Sequence, residues 1–175
     1  MRHSFLKNSQ LLSILLCLVI ISCKKDSAAT NSDSISKTKR SWISGTWKQK
    51  DIVLGYPVDF GGQQLPVGYS VYNITSYLPV SGPLLDCTKD NTYTFNSDSS
   101  YTINGCTELM LPNAGNAGKW RMEIYDAVIR LTSSANKTAP YWTNNISAKE
   151  WSIGLTVYLA EVDANLPVNL ILEKQ

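Results

Sequence analysis

The side chains able to do chemistry in this chain are few, and their types narrow the choice. The single imidazole is His3, so no histidine further along can serve as base, acid or metal ligand. Asp86, Asp90, Asp98 and Glu108 fall in one short stretch, a composition that suggests an oxygen-ligand metal site. Their spacing matches no calcium loop, however, and acidic residues at turns are expected on conformational grounds. We therefore assign no metal, no cofactor and no catalytic residue, and expect no enzyme. Cys87 and Cys106 point to a different chemistry. They bracket two alternating runs, 92–95 and 101–103, rich in aromatic and β-branched residues and separated by the polar stretch 96–100, the pattern of a β-hairpin. Folding about Asp98 brings the two cysteines within disulfide reach.

Aromatic residues supply the other possible function, contact with a ligand or glycan. Of five tryptophans, Trp47, Trp120 and Trp151 sit on strand patterns, where a large apolar side chain packs a core or lines a cavity. Trp142, beside Pro140 and Tyr141, is the best placed to be exposed. Residues 56–85 hold four of the seven prolines and four glycines among Tyr56, Phe60, Tyr69, Tyr72 and Tyr77. A connection this long in a compact domain is either a lid or binding loop, or a packed cover. Candidate ligand contacts are Tyr69, Tyr72, Trp120, Trp142 and Trp151.

The amino terminus sets the compartment. Arg2 and Lys7 precede an apolar run over 11–21 of signal-peptide length, too short to span a bilayer comfortably. It ends in Ile20-Ile21-Ser22-Cys23, which resembles the lipobox of bacterial lipoproteins. The resemblance implies cleavage after residue 22 and acylation of Cys23, with acyl chains holding the protein to a membrane. Lys24 in place of an Asp implies an outer-membrane address. The expected mature chain keeps 153 of the 175 residues, enough for one domain with a core. Its 14 basic residues balance 14 acidic ones, with no basic patch, so nucleic acid is not an expected partner. Cys17 leaves with the signal and Cys23 takes lipid, which leaves Cys87 and Cys106 as an even pair in an exported chain. Residues 23–40 contain little to bury and read as a flexible tether.

Beyond the tether, the spacing predicts strands near 48–54, 92–95, 101–103, 118–124, 127–132, 141–146, 151–159 and 168–172. A further short strand is expected around 69–74, inside the 56–85 insertion. The cleanest alternation is Trp151, Ile153, Leu155, Val157 and Leu159. No segment carries a helical period. Short strands at regular spacing, joined by polar turns, predict an all-β fold, a single antiparallel up-and-down β-barrel of about eight strands over residues 41–175.

Gly45-Thr46-Trp47, the run 86–98 with Cys87, then Cys106, Gly118-Lys119-Trp120 and Leu131 resemble the lipocalin-like domain of exported Gram-negative lipoproteins. Two positions depart from that pattern. Ser99 stands where the family has a hairpin glycine, which suggests another turn type. Typical lipocalins pack an Arg near the carboxyl end on the first tryptophan, and here only Lys174 is available. The resemblance implies a barrel that either holds one small ligand or fills with side chains. The expected function is a lipid-anchored outer-membrane lipoprotein binding a small apolar or amphipathic molecule. The alternative is a structural or assembly lipoprotein, with a solid barrel that docks an envelope protein.

Overall fold

The computed structural model describes residues 40–107, 111 and 113–175. The signal at 1–22, Cys23 with most of its tether, and Glu108 lie outside the described residues. Ten strands follow one another: β1 (Gly45–Leu54), β2 (Val58–Phe60), β3 (Gln63–Leu65), β4 (Thr92–Phe95), β5 (Ser100–Asn104), β6 (Ala117–Glu123), β7 (Val128–Ser133), β8 (Thr138–Ile146), β9 (Glu150–Leu159) and β10 (Ala164–Lys174). Eight close into an antiparallel barrel in the order β1-β10-β9-β8-β7-β6-β5-β4, with β4 returning to β1. Consecutive barrel strands are neighbours, so the fold is the up-and-down barrel that the alternation predicts. β2 and β3 pair only with each other and stand apart from the barrel sheet.

Period-two patterning sets which residues face inward. On β9 the odd residues Trp151, Ile153, Val157 and Leu159 are buried, and on β10 Leu166, Val168, Leu170 and Leu172 are buried. β1 keeps Trp47 and Gln49 inside, bulges between Gln49 and Asp51, and resumes with Ile52 and Leu54 inside. One end of the barrel is sealed by aromatic rings. Phe95 lies 5.2 Å from Trp151 and 6.0 Å from Trp120, and Trp47 lies 5.7 Å from Trp151, all edge to face. A helical turn at 40–43 closes this end: Ile43 is fully buried and its carbonyl accepts the Trp47 indole N–H at 2.7 Å.

Both Gly-x-Trp motifs have a steric cause. Gly45 has φ +130°, and a Cβ there would stand 2.9 Å from the Lys174 side chain. A Cβ on Gly118 would overlap the Thr132 carbonyl oxygen of the neighbouring strand. Gly45 leaves room for the Lys174 side chain, and Gly118 lets β7 approach closely, in each case just before a tryptophan turns inward. Lys174 occupies the place left for a carboxyl-terminal cation. Its Nζ lies 5.0 Å from the Trp47 ring and donates to the Trp42 and Ser44 carbonyls at 2.6 and 2.7 Å. Arg40 lies over Trp120 at 5.4 Å in the same cap. Ser99 keeps φ +67°, the left-handed backbone a glycine would adopt. Asp98 secures the turn by accepting Ser100 N–H and O–H.

Residues 55–91 differ most from the sequence reading. Gly61-Gly62, both with positive φ, turn a β2–β3 hairpin. The short strand expected around 69–74 is a single bridge, Ser70 to Val53, followed by a 3-10 helix at Val71–Tyr77. Its β-branched residues suggested extension, but burial of Val71, Ile74 and Thr75 on one side of a tight helix wins. An α-helix, α1 (Ser81–Cys87), follows, with Pro83 in its first turn, where amides lack partners in any case. α1 ends at Cys87, which is joined to Cys106 by a disulfide with the Cα atoms 5.9 Å apart.

Candidate functional site

The barrel has one end sealed by tryptophans and one end covered by the insertion, and the covered end is where space remains. A largely enclosed, mostly apolar pocket of about 190 Å³ sits there. Leu54, Leu159 and Leu166 from the strand ends form its floor, Val162 from the β9–β10 turn one side, and Val58, Phe60, Leu65 and Ile74 its roof. A second pocket of about 420 Å³ lies against the same roof, sharing Phe60, Leu65 and Ile74 and adding Gln63, Tyr69, Asn73 and Tyr77. Phe60 meets Tyr77 edge to face at 6.5 Å, between the apolar chamber and the more polar one. Two neighbouring chambers, one apolar and one more polar, suit a molecule with an apolar part and a polar part.

The roof is held at its stems. Gly55 N–H donates to the Pro167 carbonyl, Gly68 N–H to Leu54, and Leu54 N–H to Tyr69. Further along, Glu161 of the β9–β10 turn accepts the Val80 and Ser81 amides and the Ser81 hydroxyl, each at 2.6 Å. No side chain at Val80 caps α1, so this carboxylate caps it from a distant part of the chain. Desolvation raises the Glu161 carboxyl, but these hydrogen bonds outweigh it and bring it down to about 2.

A buried polar network anchors the returning chain. Gln49, inside the barrel, donates to Tyr72 and Thr88 and accepts the Tyr93 hydroxyl at 2.7 Å. Asn91 donates to the Cys106 carbonyl and accepts the Cys106 amide, both at 2.7 Å, so it pairs with that peptide as a strand would. Burial holds the Tyr93 phenol well above the ordinary tyrosine range and pushes Tyr101 up to about 12.

The five predicted ligand contacts fall in different places. Trp120 and Trp151 are 2% and 0% exposed in the sealed end. Tyr72 belongs to the Gln49 network, and burial, its largest influence, raises its hydroxyl. Tyr69 lines the outer chamber. Trp142 is 59% exposed on the outer wall. Phe60, Leu65, Ile74, Val162 and Leu166, which define the mouth, escaped the sequence reading. Only the Gly61-Gly62 turn signalled a hairpin there.

Among the described residues, the acidic side chains near the disulfide take separate lysine partners. Asp86 pairs with Lys89, Asp90 with Lys48 and Asp98 with Lys119. Among the described residues no group of three or more His, Cys, Asp and Glu side chains could hold a metal. No helix among them is long and apolar enough to cross a membrane. No protein-family model matches the chain, and no curated protein is significantly similar to it.

Proposed function

We propose that the barrel is the binding body of a lipid-anchored outer-membrane lipoprotein of the lipocalin-like kind, taking one small apolar or amphipathic molecule at its mouth. The observation that carries this reading is the 190 Å³ apolar pocket beneath the β2–β3 roof. Its volume is below the roughly 300–1,000 Å³ of ordinary ligand pockets, so the occupant is a short chain or a single ring. A polar part of the molecule would reach the outer chamber beside Tyr69 and Asn73. The domain is proposed as a binder, with Glu161 serving as a helix cap and Asp86, Asp90, Asp98 and Glu123 in ion pairs.

The test is a fluorescence titration with N-phenyl-1-naphthylamine, an apolar probe. Saturable emission is expected for the native protein, weakened by about tenfold or more in Val162→Arg and Leu166→Arg, which put a charge into the pocket. Val162 is 54% exposed, so its variant keeps its fold even if the Leu166 variant does not. Equal titrations for the native protein and Val162→Arg, or no saturation at all, would overturn the mouth site.

One observation favours a second reading. The barrel centre is filled, and Tyr56, Tyr77, Val80 and Leu84 are exposed in the insertion. If the mouth fails to bind, this rim becomes the docking face of a structural envelope lipoprotein.

A further inference from the structure

The outer wall of the barrel carries a second concavity, independent of the mouth. About 390 Å³ lies over β8, β9 and β10, and no Asp, Glu, Lys or Arg lines it. Trp142 stands at one side, 59% exposed, and Tyr56, 65% exposed, also lines it. An indole on the solvent face of a strand is normally covered by its cross-strand neighbours. Trp142 pairs on β7 with the buried Val128, but on β9 with Gly154, which has no side chain to cover the indole from that side. The space over Gly154 is taken by the Asn144 side chain, whose Nδ2 would stand 2.9 Å from a Cβ there, so the glycine admits that amide into the row beside Trp142. The next residue along β10 in the same row is Asn169.

The local backbone adds a polar group to this row. β8 bulges between Thr143 and Asn145, and Asn144 and Asn145 are both exposed where regular alternation would expose one. Asn144 donates to Asn169 Oδ1 at 2.6 Å. Among the described residues, Asn144 Oδ1 and Asn169 Nδ2 have no hydrogen-bond partner, so the amide pair retains the Asn144 oxygen as an acceptor and N–H donors on both amides. Thr156 lines the same hollow with a hydroxyl. An aromatic face, planar amides, a hydroxyl and no charge form a set that matches the C–H face and the hydroxyl edge of a neutral pyranose ring. A charged ligand would find no counter-ion, and an acyl chain would leave the amides unpaired.

We infer that this hollow is a carbohydrate subsite, in which a neutral pyranoside stacks on Trp142 and hydrogen-bonds to the Asn144–Asn169 pair. It does not depend on the mouth reading, since the two sites share none of these side chains. The test is isothermal titration and saturation-transfer NMR on the native protein with cellotetraose, maltotetraose and triacetylchitotriose. At least one is expected to bind, with saturation transfer strongest at the ring C–H protons of one face. Trp142→Ala is expected to weaken that binding by about tenfold or more. Asn169→Ala should weaken it with little change in folding, because Asn169 is a wall residue. No binding of the three sugars at millimolar concentration overturns the inference. So does binding that is unchanged in Trp142→Ala.

Discussion

At the residue scale, Lys174 shows how a single cation can close a barrel. Its ammonium has two carbonyl partners and an indole face, and it is partly desolvated, which lowers its pKa from the ordinary lysine value. Lys174→Met keeps much of the stem's packing and removes the charge. It is expected to destabilise the domain by about 1–3 kcal/mol, measured by urea unfolding. A change under a few tenths would show that the cap rests on Ile43 and Trp47 alone. The sequence offered Lys174 only as a cation at the right distance from the carboxyl end. Gln49 and Asn91 were less legible still. Nothing local distinguishes a buried amide that completes a network from an exposed one, because Gln49's partners Tyr72, Thr88 and Tyr93 lie 23 to 44 residues away and Asn91's partner Cys106 lies 15 away.

At the element scale, the insertion is a layer pinned to the barrel at a few points, with Glu161 the most exposed to titration. Its folded pKa, about 2, lies below the ordinary 4.5. The sign follows from that order: its contribution is complete above pH 4.5 and is lost as pH falls toward 2. Hydrogen exchange of amides in 71–87, corrected for the intrinsic rate, should therefore rise as pH drops below 4.5. Glu161→Gln should show the raised exchange already at pH 7, and identical exchange in the variant and the native protein would remove the carboxylate from this role. The sequence revealed the insertion's extent but not its contents. A β-branched run such as 71–77 fits strand and 3-10 helix alike until neighbours decide which side is buried.

At the scale of the whole molecule, one covalent link joins the insertion to the barrel. Cys87 ends α1 and Cys106 follows β5, with a sequence separation of 19. Closing a loop of that size contributes about 3 kcal/mol in the chain-entropy model. Cys87→Ala/Cys106→Ala should lose an amount of that order in urea unfolding, with the barrel's circular dichroism unchanged. Loss of the β-sheet signal in the double variant would mean that the bridge is needed to fold at all.

The barrel strands, their inward faces and the cysteine pairing were legible in the chain itself, because they rest on nearest-neighbour alternation and on a hairpin that brings its own ends together. Trp151 to Leu159 could be read this way without knowing any partner strand. Whether the barrel would be hollow or solid could not be read, nor could the place of the remaining space. Interior volume depends on what eight strands contribute at once: Trp47, Phe95, Trp120 and Trp151 fill one end only because closure brings them to the same level. The mouth pocket and the outer hollow likewise exist only where residues distant in sequence converge, and that convergence is a property of the closed sheet.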